Sequence, residues 1–451
     1  MRMPVAMTIA GSDSGGGAGI QADLKTFAAL GVHGTTAITS ITAQNTYSVK
    51  ATFDIPPSMV VEQIIAVHED LGIDAAKTGM LSNSNIIEVV AKTIEELGVP
   101  LVVDPVMIAK SGAPLLRPEA VDTLKNKLLR VALLVTPNIP EAETLAGFSI
   151  NSIDEMKEAA ITIHEKYGPE AVIVKGGHLK SDKVIDVLYY RGELRIFEHR
   201  RIQTQNNHGS GCAFSAAITA HLARGLSLVK SVEKSLEFID KALYYSLPIG
   251  RGHGPVNPIA VLEEAAERWR VLVNLNEAIE ILLESQEKIS KLVPEVGLNI
   301  GMSLPWLYAR TINDVAAVPG RISRYKNGII IPAKPEFGVS RHIATLILTI
   351  MEHDPTYRAA ANIAYSNEKV EKILSLGLSL SSFDRREEPP EVKRTEGMTT
   401  VWGVRTAIAK NNSRVPDAII DYGEHGKEPL IFIVGKDAID VANKLVKIAS
   451  S

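Results

Sequence analysis

The stretch Pro100-Leu-Val-Val-Asp-Pro-Val106 decides the fold of the first part of the chain. It is a short, continuous apolar run that ends at Asp104-Pro, and such runs are typical of strands buried on both faces of a parallel sheet. The same pattern recurs along the chain, with helical spacing between the copies. The predicted strands are Val5–Ala10, Thr35–Thr42, Pro100–Val106, Ala132–Thr136 and Ala171–Lys175.

Helices are predicted between these strands at Ile20–Leu30, Met59–Leu71, Ile86–Leu97, Ala120–Leu129, Glu155–Tyr167 and, after the last strand, Gly211–Leu222. The segments Asp186–Tyr190 and Glu193–His199 predict an antiparallel hairpin. The first part of the chain is therefore expected to be an α/β unit, in which helices cover both faces of a parallel sheet.

Polar side chains follow the predicted strands where each one ends. They are Asp13, Asp104, Asn138 with Glu141, and Lys175 with His178. Ligands of open α/β sheets bind beyond the carboxyl ends of the strands. These residues are therefore expected to face one crevice.

The composition is that of an ordinary globular protein. Of 451 residues, 45% are hydrophobic and 22% are charged, which excludes a wholly disordered chain, a collagen-like repeat and a disulfide scaffold. Lys plus Arg is 48 and Asp plus Glu is 52, a net charge of −4, so there is no electrostatic case for non-specific binding of nucleic acid or anionic membranes. With no signal peptide, no long apolar run and Cys212 as the single cysteine, the protein is expected to be cytoplasmic.

The pattern changes after residues 248–258, which are rich in Gly and Pro, and a charged stretch follows at 263–270. We expect a first domain over residues 1–265 and a smaller α/β domain over 272–451, which opens with an amphipathic helix at Asn274–Leu292. The charged segment Asp384–Lys393 is interpreted as a solvated loop.

The segment His208-Gly-Ser-Gly-Cys212 precedes a predicted helix. Small residues at a helix start let backbone N–H groups converge on an anion, and the helix dipole adds partial positive charge. A thiol in that position commonly has a lowered pKa, so Cys212 is expected to be activated. A Gly-rich turn with a buried, inert cysteine is an equally good interpretation of this segment alone.

Three further features of the sequence are candidates for binding a ligand, a phosphate or a metal ion. The loop Gly11–Gly19 can cradle a ligand or close over it, and Lys175 is a candidate point charge for phosphate. Asp104 and Glu141 are candidate Mg²⁺ carboxylates, although a turn Asp and a first-turn helix Glu are alternatives for them. Together with the anion-binding helix start, these are the parts of a phosphoryl-transfer site.

The first domain resembles the hydroxymethylpyrimidine phosphate kinases, which belong to the ribokinase-like superfamily. The resemblance covers about residues 1–262 and is carried by the segments 8–46, 77–81, 102–116, 135–143, 174–178 and 208–218. It implies a mainly parallel sheet, a usually dimeric enzyme, and ATP-dependent phosphorylation of hydroxymethylpyrimidine and then of its monophosphate.

The resemblance also implies residue roles. Gly11, Asp23 and Gln44 would contact the pyrimidine, with Met80 and Val106 packed near the ring, and Gln44 carries both a donor and an acceptor for an aminopyrimidine edge. Asp104 and Glu141 would organise Mg²⁺, while Lys175, Asn138 and His178 would contact the nucleotide. Gly209, Ser210 and Gly211 would form the anion hole, with Cys212 as a catalytic residue. Asn207 departs from the Thr that is common in the family.

The C-terminal part contains Val318-Pro-Gly-Arg321, Ser340-Arg341-His342 and Gly397-Met-Thr-Thr-Val-Trp402. It resembles the thiamin-phosphate synthase domain that is fused behind this kinase in archaea and some bacteria, which is unrelated to the TIM-barrel synthase. The resemblance implies coupling of hydroxymethylpyrimidine diphosphate to thiazole phosphate, with Arg321 and His342 as catalytic candidates and Arg341 and Lys427 as phosphate contacts. Trp402 is interpreted as core.

Both resemblances together predict a bifunctional enzyme, with ATP as co-substrate, Mg²⁺, small-molecule substrates and a homodimer formed through the kinase domain. The alternative is a kinase whose C-terminal domain senses a ligand without catalysis. No nucleic-acid or membrane partner is expected.

Overall fold

The computed structural model describes residues 2–107, 115–179, 182–395 and 397–450. Residues 108–114 of the kinase-like segment 102–116 lie outside the described residues. The chain forms two compact units that meet in sequence between Leu262 and Glu263, within the helix Ala260–Glu284. Each unit is described separately below.

The described part of the first unit contains a nine-stranded sheet with the order β3-β2-β1-β4-β5-β6-β7-β8-β9. Its strands are β1 (Val5–Asp13), β2 (His33–Gln44), β3 (Val49–Asp54), β4 (Ala75–Thr78), β5 (Leu101–Val103), β6 (Leu134–Val135), β7 (Ala171–Val174), β8 (Lys183–Tyr190) and β9 (Glu193–Arg200). The six central strands, β2, β1, β4, β5, β6 and β7 in sheet order, pair in parallel, while β3, β8 and β9 pair antiparallel with their neighbours. The predicted α/β class, the buried strands and the hairpin are confirmed, whereas β3 was not anticipated.

Helices pack against this sheet. They are α1 (Gly19–Ala29), α2 (Pro57–Asp70), α3 (Ser84–Leu97), α4 (Ala120–Thr123), α5 (Ile139–Ala146), α6 (Ile153–Tyr167), α7 (Ser210–Ala223) and α8 (Leu228–Tyr244). The predicted helix over 120–129 is interrupted, because a π turn and a 3₁₀ turn follow α4 over 124–131.

Local chemistry explains where several helices begin and end. The side chain of Asn83 caps α3 by accepting from Ile86 N, and Ser152 caps α6 in the same way. Both helices end at glycines in the left-handed region, Gly98 and Gly168, which lack the Cβ that penalises this conformation. Because β1, β4, β5, β6 and β7 run in parallel, their carboxyl ends, and the polar residues that follow them, lie at one edge of the sheet.

A fully buried ion pair crosses the packing between the sheet and α1. Lys77 Nζ on β4 lies 3.0 and 3.1 Å from the two carboxylate oxygens of Asp23 on α1, and neither side chain is exposed. Thr8 Oγ1 donates to the same carboxylate at 2.6 Å. Since water cannot reach either charge, each depends on the other for its stabilisation.

We expect Lys77→Met to lower the free energy of unfolding by about 3–5 kcal/mol, because it leaves the Asp23 carboxylate buried without its counter-ion. The matched control is Lys92→Met, since Lys92 forms an exposed pair with Glu96 and should cost about 0.5 kcal/mol or less. Urea unfolding of the full chain measures both. Equal losses in the two variants would contradict the assignment of Lys77–Asp23 as a structural pair.

The second unit contains a seven-stranded sheet in its described residues, with the order β14-β11-β10-β15-β18-β17-β16. The strands are β10 (Ile300–Ser303), β11 (Val315–Ala317), β14 (Glu336–Phe337), β15 (Ala359–Ala364), β16 (Leu380–Phe383), β17 (Ala418–Asp421) and β18 (Leu430–Gly435), with a separate pair β12 (Ser323–Tyr325) and β13 (Gly328–Ile330). All pairings are antiparallel except β16 with β17.

The helices of the second unit complete a smaller α/β domain, as predicted. They are α9 (Ala260–Glu284), which contains the unit boundary, α10 (Gln286–Ser290), α11 (Arg341–Met351), α12 (Asn367–Ser375), α13 (Pro390–Lys393), α14 (Met398–Lys410) and α15 (Ala438–Ala449). The helix expected at Asn274–Leu292 is divided at Ser285 between α9 and α10. Its predicted apolar face, Leu275, Ile279, Leu282 and Ile289, is buried.

Candidate active sites

A cavity of about 650 Å³ lies beyond the strand ends of the first unit. It brings together most of the kinase-like residues that the sequence singled out. The predicted residues that line it are Gly11, Gln44, Met80, Asp104, Val106, Asn138, Glu141, Lys175, His178, Gly209, Ser210, Gly211 and Cys212.

The expected anion hole lies where α7 begins. Gly209 adopts a left-handed conformation before Ser210, the first residue of the helix. A Cβ on Gly209 would lie 1.8 Å from Gly17 O, so the turn and the Gly-rich loop pack backbone to backbone. A side chain at either glycine would therefore displace the helix start from the cavity.

The Asp13 carboxylate organises the Gly-rich loop. It accepts hydrogen bonds from the backbone N–H groups of Gly15, Gly17 and Ala18, and it contacts His208 Nε2 at 3.0 Å. These bonds hold the pKa of Asp13 below its ordinary value even though burial alone would raise it. The loop therefore closes on the turn that precedes the anion hole, in addition to lining the cavity.

The charged residues meet beside that helix start. Lys175 Nζ lies 3.3 Å from Asp104 Oδ1, and Thr136 Oγ1 donates to the same oxygen at 3.3 Å. A Cβ on Gly211 would lie 3.4 Å from Lys175 Nζ and 3.5 Å from Asp104 Oδ2. A cation and a carboxylate thus lie directly beside Gly211 in the first turn of α7.

Glu141 both caps a helix and lines the cavity, so its position is compatible with the first-turn helix residue and with the Mg²⁺ carboxylate that the sequence left open. It forms a capping box with Asn138 at the start of α5, with Asn138 N donating to Glu141 Oε2 at 2.9 Å, and it also lines the cavity. Burial raises the pKa of Glu141 to about 7, the positive charge of Lys175 opposes that rise, and Asp104 adds to it. Glu141 and Asp104 therefore belong to one electrostatic cluster.

Asp104 and Glu141 can supply only part of the coordination shell of a Mg²⁺ ion. Within the described residues no group of three or more His, Cys, Asp or Glu side chains is arranged to hold a metal ion. Mg²⁺ commonly keeps several waters and binds one or two carboxylates together with substrate phosphates. Asp104 and Glu141 fit that incomplete kind of site.

The other end of the cavity is suited to a flat ring. Met80 and Val106 supply apolar surface, and Gly11 leaves room for Met80, since a Cβ there would lie 2.6 Å from Met80 Cε. Gln44 Nε2 lies 3.4 Å from His208 Nε2, which orients its amide at the cavity wall.

Asp23 does not lie at this end of the cavity, where it was expected to contact the pyrimidine. Its carboxylate is fully buried against Lys77 and Thr8, one layer below the surface, and it is absent from the cavity lining. Lys77 itself is a residue that the sequence analysis missed. A lysine inside the short strand Ala75–Thr78, whose residues are all buried, was the available signal, because lysine is almost never fully buried without a partner.

The second unit assembles a different group of residues at one sheet edge. The strand registers place there the loops after β11, after β16 and between β17 and β18. Arg321, with a φ of 65°, donates from Nη1 to Val296 O at 2.6 Å, and Glu428 accepts from Val296 N at 2.8 Å. Residues from two of these loops therefore converge on one turn.

His342 lies in the first turn of α11, close to this edge. Its ring packs against Phe432, and its Nδ1 lies 3.3 Å from Thr400 Oγ1. Burial lowers the pKa of His342 to about 4, and the charges of Arg385, Arg321 and Lys427 also lower it. His342 is therefore neutral at physiological pH, and the charges of the predicted residues Arg321 and Lys427 act on it.

The other two predicted features of this unit differ in outcome. Arg341 is exposed at the start of α11, and its role as a phosphate contact stays a prediction. Trp402 lies edge-on to Phe383 with ring centroids 6.1 Å apart, and it lines a small groove on α14. Trp402 thus packs on the buried Phe383 but is itself only half-buried, so the interpretation of Trp402 as core is not confirmed.

The interpretation of Asp384–Lys393 as solvated loop is wrong for two of its residues. Arg385 is buried and forms a bidentate pair with Asp421, with Nε and Nη2 donating at 2.6–3.0 Å. Glu388 is also buried, and within the described chain neither of its carboxylate oxygens has a hydrogen-bond partner. Composition alone could not identify Arg385, because its carboxylate partner lies 36 residues away.

Comparison with known proteins agrees with this geometry. The sequence profile of the phosphomethylpyrimidine kinase family matches residues 13–257. The chain belongs to this family. A second profile, that of the thiamine-phosphate synthase ThiN, matches residues 274–447. The chain is a bifunctional enzyme of thiamine biosynthesis that joins a kinase domain to a synthase domain.

Relatives cover the kinase domain. The hydroxymethylpyrimidine/phosphomethylpyrimidine kinase of Bacillus subtilis is 50% identical over 257 residues, which are 56% of this chain and 94% of that protein. The thiamine biosynthesis bifunctional protein ThiED of Geobacter sulfurreducens is 45% identical over 263 residues, 58% of this chain and 54% of that protein. An ADP complex of Bacillus subtilis pyridoxal kinase superposes with a TM-score of 0.54 at 41% identity, covering 58% of this chain and 99% of that chain. In the described residues, no helix is both long and apolar enough to cross a membrane.

Cys212 of the kinase domain is not the activated thiol that its place at a helix start suggested. Burial raises its pKa to about 12, although the positive charge of Lys77 opposes this effect, and the nearby carboxylates of Asp23 and Asp104 add to it. Desolvation and like charge thus outweigh the helix dipole, and the thiol is protonated at neutral pH.

We expect Cys212 to react with iodoacetamide at pH 8 roughly a hundredfold more slowly than the same thiol in the unfolded chain, because the reactive thiolate is scarce in the folded protein. Mass spectrometry gives both rates cleanly, since the chain contains one cysteine. Similar rates in the folded and denatured chain would show that the thiol is activated after all.

Proposed function

We propose that one chain both makes and uses hydroxymethylpyrimidine diphosphate. The N-terminal unit phosphorylates hydroxymethylpyrimidine and then its monophosphate with ATP, and the C-terminal unit couples the diphosphate to thiazole phosphate. The observation that carries the kinase part is the convergence of the α7 start, Lys175, Asp104 and Glu141 in one cavity of a family member.

In the kinase unit, catalysis is assigned to positioning and electrostatics. The backbone donors of Gly209, Ser210 and Gly211 stabilise charge that develops on the transferred phosphoryl group. Lys175 binds nucleotide phosphate as a point charge. Gln44 reads the pyrimidine edge, and Met80 and Val106 pack against the ring.

Asp104 and Glu141 would hold Mg²⁺ together with water molecules and the substrate phosphates. The bound ion would neutralise charge on the phosphates. Cys212 supports the hole as a neutral thiol rather than as a base, since its pKa is raised to about 12.

We expect Asp104→Asn to lower kcat/KM of the kinase by about a hundredfold or more, because the neutral amide keeps the shape of the side chain but would hold Mg²⁺ beside the phosphates much more weakly than the carboxylate. Asp122→Asn, on the exposed face of α4, is the matched control and should be silent. ATP consumption with the pyrimidine monophosphate measures the effect, and unchanged synthase activity shows that the chain is folded. Full kinase activity in Asp104→Asn would mean that the site is misplaced.

In the synthase unit, the chemistry requires stabilisation of departing pyrophosphate. Arg321 and Lys427 supply positive charge, and neutral His342 offers a ring nitrogen whose partner, Thr400 Oγ1, sets the ring orientation. Arg321 has a left-handed backbone, which for a residue with a side chain costs of the order of 1 kcal/mol. Strain of this kind is concentrated at functional sites, which supports the assignment.

We expect Arg321→Ala and His342→Ala each to lower thiamin phosphate formation from supplied diphosphate by about a hundredfold, since transition-state charge loses a preorganised partner. Kinase activity should survive in both. Arg405→Ala, which removes an exposed pair with Glu352, is the control.

The same assay tests the alternative, a C-terminal domain that senses a ligand without catalysis. A wild-type chain that phosphorylates the pyrimidine but forms no thiamin phosphate would favour the sensor. Full synthase activity in both variants would refute the assignment of Arg321 and His342.

A homodimer through the kinase unit and a cytoplasmic location stay predictions. Ile41 on β2 and Phe53 on β3 are directly paired across the edge of the sheet, and both are more than half exposed. This apolar pair is a surface that a second copy would cover.

A further inference from the structure

A histidine between two carboxylates lies in the wall of the kinase cavity, outside the residues assigned above. His199 on β9 and Asp186 on β8 both line the cavity. His199 Nδ1 lies 2.8 Å from Asp240 Oδ1 on α8, and Nε2 lies 3.3 Å from Asp186 Oδ2. In the sequence, Asp186 and His199 stand out only as the two ends of the predicted hairpin.

The imidazole of His199 is positively charged. Burial alone would lower its pKa, but the hydrogen bonds and charges of Asp186 and Asp240 raise it to about 9. Both ring nitrogens therefore carry protons at neutral pH, and each donates to one carboxylate. A charge-assisted pair of bonds of this kind is directional, so it fixes the two carboxylates relative to each other.

One of those carboxylates reaches the phosphate-binding lysine. The other oxygen of Asp186 accepts from Gly176 N at 2.8 Å, and Gly176 directly follows Lys175. A Cβ on Gly176 would lie 1.9 Å from Ile185 O, so the turn is packed directly on β8. On the other side, Lys175 N donates to Pro137 O at 2.9 Å. The backbone that carries Lys175 is therefore held from both sides.

The second carboxylate connects the same histidine to a helix that forms the cavity wall. Asp240 belongs to α8, whose residues Leu236, Ile239 and Leu243 line the cavity together with His199. His199 thus joins the turn after Lys175 to the apolar surface of α8. The lysine and this surface lie on one connected part of the cavity.

We propose that His199, bonded to Asp186 and Asp240, is a positioning residue for the nucleotide: it fixes the position of the Lys175 ammonium relative to the α8 wall of the cavity. The inference rests on the proposed kinase function. It assigns to His199 no contact with the pyrimidine, whose expected partners Gln44, Met80 and Val106 lie at or after the ends of β2, β4 and β5. A disturbed His199 should therefore weaken ATP use selectively.

Two substitutions separate the bonds of His199. In His199→Asn, the amide nitrogen takes the place of Nδ1 and keeps the bond to Asp240, while the bond to Asp186 is lost. In His199→Gln, the amide nitrogen takes the place of Nε2 and keeps the bond to Asp186. Because Asp186 is the link to Lys175, His199→Asn should raise the KM for ATP by about tenfold, and His199→Gln should raise it less.

The experiment is a kinase assay of the full chain with ATP and the pyrimidine monophosphate varied in turn. A positioning role predicts that the KM for ATP rises while the KM for the pyrimidine is unchanged. His164→Asn is the control, because His164 is a half-buried histidine of the same unit, bonded to Pro169 O and absent from the cavity lining. Its two KM values should be those of the wild type.

The outcomes are distinguishable. An unchanged KM for ATP in folded His199→Asn would overturn the inference, as would an equal rise in both KM values, which indicates a merely structural role. If His199→Asn fails to fold, His199→Gln and Asp240→Ala decide, since each keeps the bond to Asp186 and loses the connection to α8. A smaller rise in the KM for ATP alone then supports the inference, and an unchanged KM for ATP in both variants overturns it. A wild-type chain without kinase activity would instead refute the proposed function.

Discussion

The Asp13 carboxylate joins the two loops on which the kinase cavity depends. It accepts from backbone N–H groups of the Gly-rich loop and contacts His208 in the turn that leads to the anion hole. Glycines at 17 and 209 allow the two backbones to touch. This connection ties the start of α7, nearly 200 residues further along the chain, to the Gly-rich loop that follows β1.

Buried charge organises the rest of both sites. Lys77 with Asp23 lies beneath the kinase cavity, Lys175 with Asp104 lies in it, and Arg385 with Asp421 lies at the synthase edge. Replacing such pairs by apolar residues often costs a protein little, so stability alone does not explain them. Their charges do act on functional groups: they shift the pKa values of Cys212 and His342.

Both units handle phosphorylated anions although the chain carries a net charge of −4. Attraction must therefore be local. In the proposed sites it comes from Lys175 and the α7 start in one unit, and from Arg321 and Lys427 in the other. At physiological ionic strength, charges separated by more than about 8 Å of solvent are largely screened, so the few groups at each site outweigh the overall balance.

The sequence by itself determined the α/β class, the buried strands and the crevice residues, because apolar periodicity and strand ends are local signals. Asp104, Glu141, Lys175 and the turn 209–212 were found in this way. Only the tertiary structure decided which charges meet. The buried position of Asp23 against Lys77, the pair Arg385–Asp421 and the bonds of His199 all join residues that are distant in sequence. The protonated state of Cys212 likewise follows from desolvation, which depends on what the folded chain packs around the thiol and not on its place at a helix start.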